Sequence, residues 1–264
     1  MSRALMLAYA VLAYAFFLAV FLLLVAFVGD LPLPSAVAVW SDRSLSSAVP
    51  VWRTVDSGPG GSASAAVLVD LALVALFGVQ HSVMARPAFK RRWTRVVPPP
   101  MERSTYVLAA TLAVALLMWQ WRPIAEPVVW RAAPGVASAL LTTFFWAGWA
   151  VVLLSTWLLD HYELFGLRQA CAHLRGRAVP TQAFRTPLLY RRVRHPLYLG
   201  FVIAFWATPR MTAGHLLLAA AFTVYIVVGI WFEERDLVAQ FGERYRLYRR
   251  QAGMLLPRLR NGSR

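Results

Sequence analysis

The chain has 264 residues, of which 59% are apolar and only 15% are charged, and its formal net charge is +15 at pH 7. Soluble domains average roughly 45–50% apolar and about 25% charged residues, so this composition excludes an ordinary soluble domain and favours one embedded in lipid. The single cysteine, Cys171, excludes an intramolecular disulfide and a thiolate metal cluster, and we expect no metal site.

Long apolar stretches predict the membrane-spanning helices. Each is near the roughly 20 residues that cross a hydrocarbon core. One of them is apolar apart from Asp70, Gln80 and His81, and the others carry no charge. In chain order the five spans are Ala4 to Val28, Ala63 to Met84, Ser104 to Trp121, Val136 to Leu159 and Met211 to Phe232.

A sixth apolar segment, Pro196 to Pro209, is shorter than a full span. As a helix it would be about 21 Å long, against a hydrocarbon core roughly 30 Å thick. We expect it to form a helical hairpin with the span that follows, turning at residues 209–211. The predicted fold is therefore an all-α, polytopic integral membrane protein with five to six transmembrane helices.

The basic residues are distributed unevenly between the loops. Residues 86–103 hold six Lys and Arg, residues 160–195 hold seven and the tail from Glu233 holds eight, which is 21 of the 27. The positive-inside rule therefore predicts that both termini are cytoplasmic. The same rule and contact with anionic lipids account for the net charge, so nucleic acid is not an expected partner.

The sequence shows no repeat of 20 to 50 residues, which argues against a solenoid or duplicated transporter halves. We therefore expect residues 1–264 to form one membrane domain.

Titratable residues gather where the predicted hairpin begins and ends. Arg194 and His195 precede Pro196, which opens a helix with free backbone N–H groups that suit an anionic ligand group. The acids Glu233 and Glu234 follow the last span. A hairpin would bring these acids beside Arg194 and His195, an arrangement that suits a zwitterionic ligand.

An aromatic, Arg-rich stretch, Phe241 to Tyr248, comes next and is typical of an interfacial amphipathic helix. In order, the His-Pro-x-Tyr-x-Gly run at 195–200, the acid pair and the Phe-Gly-x-x-Tyr-x-x-Tyr tail resemble the C-terminal signature of the isoprenylcysteine carboxyl methyltransferase superfamily, membrane enzymes that use S-adenosylmethionine (SAM). The resemblance covers residues 190–257 and implies a SAM site on the cytoplasmic face. The cofactor contacts that it implies are Tyr190, Arg194, His195, Tyr198, Glu233, Glu234 and Tyr245.

Further motifs are similar to one branch of that superfamily, the bacterial methanethiol S-methyltransferases. They are Asp-Ser-Gly-Pro at 56–59, Gln-His-Ser-Val-Met-Ala-Arg-Pro at 80–87, Glu-Arg-Ser-Thr-Tyr at 102–106 and Leu-Phe-Gly-Leu-Arg-Gln at 164–169. The resemblance implies methyl transfer from SAM to methanethiol, a small volatile thiol, giving dimethyl sulfide and S-adenosylhomocysteine.

Such a reaction needs the thiolate, because the thiol is a weak nucleophile. The candidates for a base or proton relay are His81, at the inner end of the second span, and Asp160 with His161, at the inner end of the fourth. Arg168 is a candidate for stabilising the thiolate. For His81, an interhelical histidine hydrogen-bonded to Gln80 is an equally weighted interpretation.

Two alternatives stay open at this point. A methyltransferase of the same superfamily acting on a lipid or prenylated acceptor would keep the cofactor site and change the acceptor pocket. A non-enzymatic membrane accessory protein would have no need of the ordered C-terminal signature. The oligomeric state does not follow from the sequence.

Overall fold

The computed structural model describes residues 2–31, 53–178 and 184–258. Its helices are α1 (Arg3–Val28), α2 (Ala63–Ala85), α3 (Pro87–Trp93), α4 (Pro99–Gln120), α5 (Val136–Leu159), α6 (His161–Leu164), α7 (Leu167–Leu174), α8 (Pro196–Trp206), α9 (Ala213–Phe241) and α10 (Glu243–Gln251). A 3₁₀ turn covers Leu188–Arg191. Two short strands, β1 (Val128–Arg131) and β2 (Arg210–Thr212), pair antiparallel.

Among the described residues, five helices are long and apolar enough to cross a membrane: α1, α2, α4, α5 and α9. Their outward faces expose large apolar side chains such as Leu12 (69%), Leu68 (71%) and Trp119 (62%). Such a surface would be costly in water and is the expected one in lipid, so the chain is an integral membrane protein. The prediction of five spans and one short helix, α8, is confirmed.

Local chemistry sets where the helices begin. Ser2, Ser62 and Thr212 cap α1, α2 and α9, because each side-chain oxygen accepts a hydrogen bond from a backbone N–H in the first turn. Helices α3, α4 and α8 instead begin with proline, whose missing N–H costs nothing at that position.

The last span is longer than the predicted Met211 to Phe232. Helix α9 starts at Ala213 and continues to Phe241, so Glu233 and Glu234 lie within a helix. Residues 233–241 contain neither glycine nor proline, and the helix stops only at Gly242, whose φ is 58°. The connection before α9 is β2, which pairs with β1, so the all-α fold carries a small two-stranded ribbon.

The short helix α8 packs closely against α5 through two glycines. A Cβ added at Gly200 would lie 2.7 Å from the carbonyl oxygen of Gly148 and 2.8 Å from the backbone nitrogen of Val152. A Cβ added at Gly148 would lie 2.7 Å from the backbone nitrogen of Ala204. Small residues allow this approach of two backbones, which is how membrane helices associate without a hydrophobic driving force.

The α8–α9 hairpin is confirmed by side-chain contacts along its length. Trp206 donates from Nε1 to Thr223 Oγ1 at 2.9 Å, and the rings of Phe205 and Phe222 lie 5.3 Å apart. We call the end of the bundle where α8 begins and α10 follows α9 the basic end, because residues 86–103, 160–178, 184–195 and 233–258 lie there. At the other end, the buried Asp70 carboxylate accepts a hydrogen bond from the backbone of Arg122 at 3.0 Å.

Because the two atoms nearest to the added Cβ at Gly200 are backbone atoms, a Gly200→Val substitution should separate α8 from α5 and destabilise the protein by on the order of 2 kcal/mol. Thermal unfolding in detergent should show a clear loss of stability. The matched control is Gly229→Ala in α9, where an added Cβ would meet nothing within 4 Å. That variant should be as stable as the parent or more stable, and equal losses in both would contradict the packing argument.

Candidate active site

Backbone pairing fixes the segment that precedes α8. The N–H of Arg194 donates to the carbonyl of Gly253 at 2.8 Å, and the N–H of His195 donates to that of Met254 at 3.2 Å. In return, Gly253 donates to the carbonyl of Arg192 at 3.0 Å. The tail after α10 therefore folds back onto the start of α8 and holds Arg194 and His195 in place.

Glu234 is the carboxylate on which the cations of this region converge. Its Oε1 accepts from Arg194 Nε at 2.7 Å and from His195 Nε2 at 3.2 Å, and its Oε2 pairs with Arg249 Nε at 3.1 Å. Arg194 also donates to the carbonyl of Ala252 at 2.6 Å. Both oxygens of Glu234 are thus occupied by protein groups, so it organises the cluster more than it offers a free ligand.

Glu233 differs from its neighbour because its carboxylate can still accept further hydrogen bonds or an ion pair. Tyr198 donates to its Oε2 at 2.9 Å, and His195 Nδ1 lies 3.9 Å from the same oxygen. The Glu233 side chain is 41% exposed, against 10% for Glu234. Of the two predicted acids, Glu233 is therefore the one whose carboxylate can meet an incoming cation.

Tyrosines close the cluster on the tail side. Tyr248 donates to the carbonyl of Tyr190, and the Tyr190 hydroxyl reaches the carbonyl of Ser155 at 3.5 Å. Tyr245 is 2% exposed, and its hydroxyl has no hydrogen-bond partner among the residues that the structure describes. Burial, reinforced by the nearby Glu234 and Glu233 carboxylates, raises the pKa of Tyr245, so its hydroxyl stays protonated and can donate to a ligand.

The seven predicted cofactor residues thus meet at the basic end, as one cluster built from the residues around the start of α8, the end of α9 and α10.

A second polar cluster lies between α2 and α4. His81 Nε2 is hydrogen-bonded to the Tyr106 hydroxyl at 2.7 Å, while within the described part of the chain its Nδ1 is buried and has no partner. The His81 ring also lies beside Tyr225 of α9, with centroids 6.4 Å apart. The alternative of a His81–Gln80 pair does not match this geometry, because Gln80 donates to Met84 Sδ instead.

The two clusters lie near each other. Tyr106 lies within electrostatic range of Tyr225 and Glu233, and Tyr198 lies within range of Tyr106 and Tyr225. The His81–Tyr106 pair is therefore a neighbour of the Tyr198–Glu233 pair, although the sequence separates them by more than 90 residues.

His161, the other candidate base, is fully engaged. Its Nε2 is hydrogen-bonded to the Tyr14 hydroxyl at 2.7 Å and its Nδ1 to Thr156 Oγ1 at 2.9 Å. Its ring stacks on Trp157 at 4.4 Å. Burial lowers the pKa of His161 despite the opposing effect of Asp160. A neutral imidazole with both nitrogens occupied serves to join α1, α5 and α6.

Asp160 and Arg168 form an ion pair with each other, and Arg168 also lies 3.5 Å from Glu163. Asp160 additionally caps α6 by accepting from the N–H of Glu163. The charge of Arg168 is thus balanced by the two nearby carboxylates of Asp160 and Glu163.

Sequence reasoning gave no role to Tyr106, Arg103 or Tyr225. Arg103 and Tyr106 fall in the Glu-Arg-Ser-Thr-Tyr motif, which was the available signal, but their partner His81 lies on another helix. Tyr225 sits in an otherwise apolar stretch and gave no signal.

Comparison with known proteins matches this chain over nearly its whole length. Methanethiol S-methyltransferase 2 of Bradyrhizobium diazoefficiens is 50% identical over 258 residues, which are 98% of this chain and 92% of that protein. The chain belongs to the methanethiol S-methyltransferase family. Two further members are 49% identical (Mycobacterium tuberculosis; 97% of this chain, 98% of that protein) and 53% identical (Pseudomonas deceptionensis; 80% of each). No family model and no solved structure matches the chain.

The two adjacent glutamates provide a matched test of the cluster. Glu234→Gln leaves the buried Arg194 without its carboxylate, so it should destabilise the protein by on the order of 3 kcal/mol. Glu233→Gln changes a partly exposed acid and should leave stability almost unchanged. Thermal unfolding of both variants in detergent measures the difference, and an equal effect would mean that Glu234 does not organise the cluster.

Proposed function

We propose that this chain transfers a methyl group from SAM to methanethiol, giving dimethyl sulfide and S-adenosylhomocysteine. The proposal is supported by relatives of about 50% identity that are named methanethiol S-methyltransferases. The structural observation that carries it is the proximity of two clusters. One is rich in charged groups around Glu233, and the other contains the buried His81, one of whose ring nitrogens has no partner among the described residues. A methyl transfer needs a donor site and an acceptor site side by side.

The residues of the first cluster fit the methyl donor. SAM carries an ammonium group, a carboxylate and a sulfonium, so it needs an accessible acid and hydrogen-bond donors. Glu233 supplies the acid, while His195 and the hydroxyl of Tyr245, which has no partner in the described ranges, supply polar contacts. Glu234, Arg194 and Tyr190 hold these groups in place. When bound, SAM would supply an electrophilic methyl group for the thiolate, and the electron pair of the broken C–S bond would stay on the sulfur of SAM.

His81 is the base in this proposal. An alkyl thiol is largely protonated at pH 7, since the pKa of cysteine itself is about 8.5. The proton must therefore be taken up before or during methyl transfer. Of the two histidines predicted as a base, His81 and His161, only His81 has a ring nitrogen without a partner in the described residues, so it can accept that proton.

The membrane location suits both substrates. We propose that residues 1–264 form one domain of the bacterial inner membrane, with the basic end and residues 190–257 facing the cytoplasm, where SAM is available. The arginines of that end contact anionic lipids. Methanethiol is small and apolar and enters from the bilayer, so the two substrates meet at the interface.

The decisive assay incubates detergent-purified protein with SAM and methanethiol and measures dimethyl sulfide in the headspace. We expect product formation that depends on both substrates, together with S-adenosylhomocysteine in equal amount. If the protein binds SAM but forms no dimethyl sulfide, methanethiol is not the acceptor, and a lipid or prenylated acceptor is favoured. Absence of SAM binding in calorimetry would favour a non-enzymatic accessory protein.

A His81→Ala substitution should lower kcat by roughly 10²-fold or more, the usual contribution of a general base, while SAM binds as before. Calorimetry gives the SAM affinity and headspace analysis gives the rate. His161→Gln is the matched control and should keep a rate near that of the parent, because His161 has a structural role here. If His161→Gln alone lost most of its rate with the fold intact, His161 in α6 would be the base instead of His81.

A further inference from the structure

Arg103 is a cation beside the His81–Tyr106 pair. Its guanidinium carbon lies 5.2 Å from the centre of the Tyr106 ring, in a cation–π arrangement. It is half-buried, and within residues 2–31, 53–178 and 184–258 it forms no ion pair with a carboxylate. Arg103 thus differs from Arg168, whose charge is balanced by Asp160 and Glu163.

The backbone around α6 fixes the position of Arg103. Arg103 Nε donates to the carbonyl of Leu164 at 2.7 Å. Two residues on, Gly166 has a φ of 86°, and a Cβ there would lie 2.4 Å from Ser104 Oγ and 2.7 Å from the Ser104 nitrogen. Only glycine allows the loop to approach the start of α4 this closely. The guanidinium is therefore anchored by Nε, and its other two nitrogens form no hydrogen bond within the part of the chain that the structure describes.

His81 uses only one of its two ring nitrogens for a hydrogen bond to a described residue. Tyr106 holds its Nε2, and Phe77 and Tyr225 flank the ring with centroids 5.2 and 6.4 Å away. Nδ1 is buried and has no partner among the described residues, which is costly unless a ligand supplies one. A small apolar ligand with one ionisable hydrogen fits this site, because its apolar part packs against the aromatic rings and its hydrogen can be bound by Nδ1.

We propose that Arg103, Tyr106 and His81 form the binding site for the acceptor, a small alkyl thiol that is bound as its thiolate. This inference rests on the proposed function and specifies the thiol side of the same site. Arg103 stabilises the negative sulfur electrostatically, His81 accepts the proton, and Tyr106 is a positioning residue that fixes the imidazole. Arg103 thereby replaces Arg168 as the cation that favours the thiolate.

The proton step balances within these residues. The S–H bond breaks and its electron pair stays on sulfur, while a new N–H bond forms at His81 Nδ1. The N–H at Nε2 stays on the imidazole and donates a hydrogen bond to the Tyr106 oxygen, so both nitrogens of the resulting imidazolium carry protons. Arg103 on α4 is the charge that acts on His81, while Arg103, Arg86 and, on α9, Glu233 act on its partner Tyr106. The positive charge of Arg103 offsets the unfavourable effect of Glu233 on the thiolate.

The test of Arg103 compares two thiols of different acidity. Arg103→Gln keeps a donor for the Leu164 carbonyl but loses the charge, so kcat/KM for methanethiol should fall by about 10²-fold. For the more acidic 2,2,2-trifluoroethanethiol, the loss should be at least about tenfold smaller, because less stabilisation of the thiolate is needed. Arg103→Lys should recover part of the methanethiol rate. An equal loss for both thiols would overturn the electrostatic role.

A binding measurement separates the thiol site from the donor site. Arg103→Gln should bind SAM with the affinity of the parent, while methanethiol binding to protein loaded with S-adenosylhomocysteine should weaken by at least about tenfold in calorimetry. If the parent protein makes no dimethyl sulfide, the proposed function itself fails. If the parent is active and Arg103→Gln binds methanethiol normally, only the thiol site is refuted.

Tyr106 is tested by removing one hydroxyl. Tyr106→Phe should lower kcat by about tenfold with little change in the KM for SAM, because the imidazole loses its positioning partner. The matched control is Tyr9→Phe, which removes a hydroxyl bonded to Thr105 Oγ1 at 3.0 Å and does not touch His81. Equal rates for Tyr106→Phe and Tyr9→Phe would overturn the positioning role.

Discussion

The carboxylate of Glu234 is the contact on which the arrangement of the C-terminal region depends. It lies on α9 and receives Arg194 and His195 from the start of α8 and Arg249 from α10. A nearly buried charge is stable only when it is paired and hydrogen-bonded, so the hairpin and the tail must come together around it. Glu233 and Tyr198 owe their relative positions to the same assembly.

The remainder of the bundle provides a rigid wall for that assembly. The Gly148–Gly200 contact lets α8 approach α5 closely, and this fixes the helix on which Tyr198 stands. On the other side, Gly166 seats the α6 loop against Ser104 and sets the position of Arg103. The donor and acceptor sides of the proposed reaction are thus held by two separate sets of close backbone contacts, both at the basic end.

The two histidines show how partners distinguish residues of the same type. His81 and His161 were both predicted near the inner ends of spans, as equal candidates. In the structure His161 has both nitrogens occupied, by Tyr14 and Thr156, whereas one nitrogen of His81 has no partner among the described residues. Tyr106 lies 25 residues from His81 and Tyr14 lies 147 residues from His161, and only Thr156 is close to its histidine in the sequence, so no local pattern revealed the difference.

The sequence alone determined the membrane spans, the capping and proline starts of the helices and the clustering of His195, Tyr198, Glu233 and Glu234, because apolar length, local hydrogen bonding and motif order are written along the chain. Tertiary structure decided that β1 pairs with β2, that Glu234 is fully paired while Glu233 is not, and that Arg103 rather than Arg168 lies beside His81. These outcomes depend on contacts between distant segments, and on which charges neutralise each other once the helices have packed.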